Sequence, residues 1–166
     1  CTGSLLNDMQ SSKTPYFLTA AHCISTQTLA SALETDWFYT SSACNSGTAS
    51  SGVQRLTKGA SLLYATANSD TSFLQLNETP PAGVVYAGTY YGSPVAKGSA
   101  IAGIHHPGGD MQKLSVGVLS GFVQCSNGVC DDSSDSSNGF YGVNWTQGTS
   151  EQGSSGSALF NTIGSA

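Results

Sequence analysis

Apolar residues in this chain come in short runs that clusters of Ser, Gly, Asn and Asp keep interrupting, and nowhere does a helical period last long enough for an extended amphipathic helix. A chain punctuated in this way buries its apolar side chains by pairing many short strands. Leu5-Leu6 before the turn-prone Asn7-Asp8, and residues 16–19, 37–40, 53–57, 61–65 and 72–76, predict one set of strands. Residues 84–89, 99–105, 112–118, 121–124 and 140–145 predict a second set, closed by 157–160. Between them Pro80-Pro81-Ala82-Gly83 breaks any regular element, which divides the chain into halves at 1–82 and 83–166. Ala20-Ala21-His22-Cys23 contains helix formers for about one turn. With 39% hydrophobic residues the chain has material for a packed core, and the low charged fraction of 9% with abundant Gly, Ser and Thr suits a β protein with many tight turns. The expected class is all-β.

Five cysteines, at 1, 23, 44, 125 and 130, are more than a cytosolic enzyme of this size usually carries, and no paired Cys-x-x-Cys arrangement offers zinc spacing. Disulfides in an oxidising compartment are therefore expected, and with them a secreted location, extracellular or periplasmic. Cys125 and Cys130 bracket Ser-Asn-Gly-Val, a turn with Asn-Gly at its tip, across which a local bridge is geometrically easy. The odd count leaves one thiol over. A net charge of -5 with five Lys and Arg in all provides no basic stripe for a phosphate backbone, which argues against nucleic acid. No apolar run approaches the ~20 residues that cross a bilayer, so no membrane partner is expected.

The chemistry-bearing stretch is Gly148-Thr149-Ser150-Glu151-Gln152-Gly153-Ser154-Ser155-Gly156-Ser157-Ala158-Leu159-Phe160, a glycine-bounded loop that runs into an apolar strand. Ser155 is its candidate nucleophile. A serine hydroxyl needs a neighbouring base and donors for the oxyanion that forms when it attacks a carbonyl, and glycines at 153 and 156 free the backbone to aim the amides of Gly153 and Ser155 at one spot. His22, on a tight turn after an apolar run, is the candidate base, and Asp70, at the mouth of residues 72–76, is the candidate carboxylate that orients it. Bland alternatives stand beside each: a structural histidine before a cysteine, an aspartate capping the turn Asn68-Ser69-Asp70, and a serine in a flexible linker. His105-His106 invites a metal reading, but neighbours in a strand face opposite ways and no Cys or Glu pair is spaced to help. Asp131, Asp132 and Asp135 lack the glycine and terminal glutamate of an EF-hand, so residues 131–137 are expected to form a solvated loop. No metal or cofactor is expected. Trp145 is expected to be a packed aromatic.

Taken together these strings resemble the chymotrypsin-like serine peptidases. Thr19-Ala20-Ala21-His22-Cys23 is similar to the histidine string of that family, Gly153-Ser154-Ser155-Gly156 to its nucleophile loop, and the order His22, Asp70, Ser155 matches its triad. Cys1-Thr2-Gly3-Ser4-Leu5-Leu6-Asn7 resembles the strand that precedes the histidine, which implies a Cys1 to Cys23 disulfide. Gly103-Ile104-His105-His106-Pro107-Gly108-Gly109-Asp110, Trp145 and Thr149-Ser150-Glu151-Gln152-Gly153-Ser154-Ser155-Gly156-Ser157 resemble, more narrowly, the bacterial lysyl endopeptidase branch. The resemblance implies a double Greek-key β-barrel with the catalytic cleft between barrels, and Ser155, His22 and Asp70 as nucleophile, general base and orienting carboxylate. It further implies Gly153 and Ser155 as oxyanion-hole donors, and a monomer acting on protein or peptide substrates, with cleavage after Lys as the leading specificity.

The chain departs from the family pattern in several places. Ser154 stands where many animal members carry an aspartate that receives the newly freed amino terminus, so that activation switch is not expected. Thr149, six residues before Ser155, stands where trypsin has its specificity aspartate and brings no charge to a Lys or Arg side chain. Eleven residues follow Ser155, fewer than the family's remaining strands need, and the chain opens on a strand normally preceded by others. A barrel pair incomplete at both ends is therefore expected, with Cys44 either free or paired outside the chain. The alternatives are a peptidase of other specificity, or a catalytically silent binding domain or inactive fragment.

Overall fold

The computed structural model describes residues 1–126, 129–137 and 139–161. In chain order its elements are β1 (Ser4–Leu6), β2 (Tyr16–Ala20), α1 (Gln27–Ser31), β3 (Thr35–Trp37), β4 (Gln54–Leu56), β5 (Ala60–Thr66), β6 (Thr71–Leu76), β7 (Ala100–His105), β8 (Lys113–Ser126), β9 (Val129–Ser133), β10 (Phe140–Gln147) and β11 (Leu159–Asn161). A short 3-10 turn at Pro107–Gly109 follows β7.

Two compact units are formed. The first comprises Cys1–Thr89, His105–Lys113 and Glu151–Ala158. Its antiparallel sheet has the order β1-β2-β6-β5, and β3 pairs with β4 beside it. On β2 and β6 the two-residue period of a strand sends Phe17, Thr19, Ser72, Leu74 and Leu76 inward. Leu5, Phe17, Ile24, Ala30, Ala60, Leu74 and Leu76 make its core. The five-residue α1, too short to be stable alone, is capped by Thr26 and tied to the sheet by Gln27, whose amide nitrogen donates to Ala60 O and whose amide oxygen accepts from Leu62 N.

The second unit comprises Tyr90–Ile104, Leu114–Ser150 and, at its end, β11. Its strands run β10-β8-β7-β11, with β9 also on β8. Val95, Ile101 and Leu119 form its core, and Val143 and Trp145 pack against them. Gly103 leaves room for the Trp145 ring, to which an added Cβ would come within 3.0 Å.

Several expected elements differ. Residues 112–118 and 121–124 are one strand, β8, carried past Gly121 (φ 141°) by an irregularity in its pairing with β10. Residues 84–89 form no strand, only a bridge between Leu6 and Ala87, and the expected strand at 37–40 ends at Trp37 because Phe38 turns to φ 56°. Residues 131–137 are not wholly loop: β9 runs to Ser133, paired with β8 in a register that sets Cys125 opposite Cys130. Those two are bridged, with Cα atoms 4.0 Å apart, and so are Cys1 and Cys23, 6.3 Å apart; Cys44 is free and exposed. The Asn127-Gly128 tip lies outside the described residues.

Candidate active site

His22 sits on the turn that leaves β2. Buried Ala20, Ala21 and Ile24 fasten the turn to the core while His22 stays exposed, and Cys23 N and Ile24 N both donate to Ala20 O, at 3.1 and 3.2 Å. The antiparallel register pairs Ala20 with Thr71, which brings the start of β6 beside this turn, and Ala21 N donates to Asp70 O at 2.9 Å. Asp70 is held at φ 48°, a left-handed conformation that costs a residue with a Cβ roughly 1–2 kcal/mol. Its two carboxylate oxygens grip one residue. His22 N donates to Oδ1 at 2.8 Å and the His22 ring Nδ1 donates to Oδ2 at 2.6 Å. A carboxylate only accepts, so the ring proton resides on Nδ1 and Nε2 offers a lone pair. This is the arrangement a general base requires.

Ser155, half-buried, lies in a loop whose backbone is anchored by the chain's own beginning. Thr2 N donates to Ser155 O at 2.8 Å, and Thr2 Oγ1 donates to Gly153 O at 2.8 Å. Thr2 is in turn held by Thr19 Oγ1 on β2, which donates to Thr2 O at 2.7 Å, and its neighbour Cys1 is bonded to Cys23. The loop that carries Ser155 and the turn that carries His22 thus share one support. Gly156 (φ 84°) passes so close that a Cβ would overlap Thr2 O and Thr19 Oγ1 and come within 2.7 Å of Ala20 N. At Gly153 (φ 97°) a Cβ would lie 2.7 Å from His106 O. Gly108 N donates to Gln152 O at 2.6 Å. Because a trans peptide sets N–H opposite its C=O, the Gly153 amide is turned away from Gly108.

Sequence reasoning did not foresee the roles of Thr2 and His105. His105 is buried and its Nδ1 lies 2.7 Å from the hydroxyl of Ser154. A signal for it existed: Ile101, Gly103 and His105 share one phase of β7, so an inward-facing histidine demanded a polar partner. Burial pushes its ring below the ordinary histidine pKa, and the charge of the neighbouring His106 adds to the effect. His106 takes other partners, with its ring stacked on Tyr39 and its Nδ1 donating to Asp110 O at 3.0 Å. Thr149 belongs to the second unit, where it is exposed and its carbonyl accepts from Ser115 Oγ at 3.0 Å. Cys1, His22 and Cys23 bring potential metal-ligand atoms within 4.8 Å of one another, but both sulfurs are spent in the disulfide and have no thiolate to offer.

Residues 1–166 match the family model described as lysyl endopeptidase, C-terminal domain. The lysyl endopeptidase of Pseudomonas aeruginosa is 42% identical over 166 residues, covering 99% of this chain, and the chain spans 34% of that protein's length. Among solved structures, the MamO protease domain from Magnetospirillum magneticum superposes with a TM-score of 0.59 at 12% identity, over 96% of this chain and 69% of that one. Deg5 gives 0.52 at 16% identity, over 94% of this chain and 66% of its own. These two likenesses concern the fold alone, which is all-β and of the chymotrypsin-like type. Matched along its whole length, the chain belongs to the lysyl endopeptidase C-terminal domain family.

Proposed function

We propose that this chain carries the chemistry of a secreted serine endopeptidase that cleaves protein and peptide substrates after Lys. The observation that carries the proposal is the double grip of Asp70 on His22, which fixes the ring's orientation and its tautomer together. His22 Nε2 takes the proton of Ser155 Oγ as that oxygen attacks the scissile carbonyl, and the developing oxyanion accepts hydrogen bonds from the amides of Gly153 and Ser155. The C–N bond breaks, His22 returns the proton to the leaving amine, and an acyl-enzyme remains on Ser155. Water, deprotonated by the same imidazole, then releases the acid and restores the serine. The two disulfides support an oxidising, extracellular or periplasmic location. Preference for Lys rests on family membership, because Thr149 is uncharged and offers a lysine ammonium no counter-ion.

The full-length protein should react with a fluorophosphonate probe, and Ser155→Ala should not. Labelling that persists in the variant removes Ser155 from the mechanism. Sequencing the ends generated from a denatured protein substrate tests specificity separately: cleavage after Lys is expected, and cleavage after other residues overturns the Lys preference while leaving the mechanism intact.

A further inference from the structure

Ser154, the residue before the proposed nucleophile, is 7% exposed, and its hydroxyl reaches Nδ1 of His105, which is 2% exposed. Glu151 N also donates to this hydroxyl oxygen, at 3.2 Å. A hydroxyl has one proton to donate. The Glu151 amide takes one of the two lone pairs, so the oxygen's other lone pair and its proton are what the hydroxyl can offer Nδ1. Burial disfavours the charged ring, so the bond to the hydroxyl is made by a neutral imidazole.

We propose that His105 and Ser154 form a latch holding residues 151–155 in the conformation in which Gly153 and Ser155 present their amides, so that both are positioning residues for the reaction; this rests on the function proposed above. Around the latch every peptide plane of the loop is fixed through its oxygen: Gln152 O by Gly108 N at 2.6 Å, Gly153 O by Thr2 Oγ1 at 2.8 Å, Ser154 O by Ser157 N at 3.0 Å and Ser155 O by Thr2 N at 2.8 Å. Each fixed oxygen sets the direction of the N–H that follows it. The loop is tied to the His105–Lys113 segment by the Gly108 amide and by the Ser154 hydroxyl, and the hydroxyl bond is made by two buried side chains. Burial strengthens such a bond and raises the cost of leaving either group unpaired. In place of a carboxylate that would need a cationic partner, the loop is held by an uncharged pair supplied from within the chain, and the latch draws on no freed amino terminus.

The test compares full-length wild type with Ser154→Ala, His105→Phe, the double variant, and His105→Asn, whose side-chain amide can stand in for Nδ1 as either donor or acceptor. With a chromogenic peptide amide, Ser154→Ala and His105→Phe should each lower kcat about tenfold to a hundredfold, less than or equal to the loss of a whole oxyanion donor. KM should stay within about twofold, because the interaction lost is one made in the transition state. A peptidyl trifluoromethyl ketone, which forms the oxyanion on binding, should weaken by the same factor as kcat/KM. The double variant should be no worse than the poorer single one, since the two side chains act through one bond, and His105→Asn should recover most of the activity. Unchanged kcat in folded Ser154→Ala, additive losses in the double variant, or a rise in KM at constant kcat each overturn the latch. Hydrogen exchange at the Gly108 amide supplies a readout that needs no turnover: it should quicken in Ser154→Ala and His105→Phe. If wild type neither hydrolyses substrate nor binds the ketone, the peptidase proposal falls, and exchange alone then decides, with Gly108 equally protected in all proteins overturning the latch. Should His105→Phe fail to fold, Ser154→Ala and His105→Asn carry the comparison.

Discussion

Asp70 bonds the amide and the ring of His22 with different oxygens, so its isosteric amide keeps only part of the pattern. In Asp70→Asn a side-chain NH2 turned to the ring would make Nδ1 an acceptor and move the ring proton to Nε2, where it can no longer take one from Ser155. We expect kcat to fall by a factor on the order of 10³ to 10⁴ in steady-state hydrolysis, with the fold retained. Near-normal turnover would exclude Asp70 from the proposed triad. His105 makes a second prediction, on stability. Its folded pKa lies below the ordinary 6.5, so as pH falls through 6.5 the unfolded chain binds a proton before the folded one does. Its contribution is complete above 6.5 and declines as pH drops through the window below it. The denaturant midpoint should therefore fall between pH 7 and 5, and that slope should be shallower in His105→Asn. An equal slope in the variant would assign the dependence to other groups.

At the scale of elements, the loop at residues 151–157 is limited by its glycines. Gly156→Ala combines a left-handed φ with overlap against Thr2, Thr19 and Ala20, two of these contacts being backbone atoms that cannot swing aside. It should cost about 2–4 kcal/mol in urea unfolding; a loss under that of an ordinary surface substitution would mean that the loop shifts freely. Strand β6 carries the opposite case. Ser72 Oγ is buried with no hydrogen-bond partner among the described residues, so Ser72→Ala should raise stability by up to about 1 kcal/mol in the same measurement. A lowered midpoint would reveal a bonded hydroxyl. The strands β2 and β6 were legible because their burial follows the two-residue period. Residues 84–89 show why that period is insufficient: Val84 and Tyr86 do pack on the core and Val85 is 82% exposed, yet a strand also needs a partner's backbone along its length, and here pairing is limited to the bridge at Ala87. Gly121 misled in the reverse direction, since the sheet carries β8 past a glycine that interrupts the apolar pattern.

Over the whole molecule the two disulfides close loops of different size, spanning 22 and 5 residues. Loop-closure entropy assigns about 3 kcal/mol to Cys1–Cys23 and about 2 kcal/mol to Cys125–Cys130. Paired serine substitutions should reproduce that order in urea unfolding. They should also separate function from stability: loss of Cys1–Cys23 frees Thr2, the anchor of the loop that carries the proposed nucleophile Ser155, and should lower kcat under conditions where both variants remain folded. Equal kcat in the two would detach Thr2 from loop positioning. Peptide mapping without reduction should recover both bridges, with Cys44 alone alkylated in the folded chain.

The sequence by itself determined the all-β class, the order His22, Asp70, Ser155 and the need for glycine at 153 and 156, because strand period, turn chemistry and backbone freedom are properties of neighbouring residues. Tertiary structure decided how these parts are held. Asp70 meets His22 across 48 positions, His105 meets Ser154 across 49, and Thr2 meets Gly153 across 151. Such contacts depend on sheet register and on which buried polar group finds which partner, and short-range pattern carries no record of either.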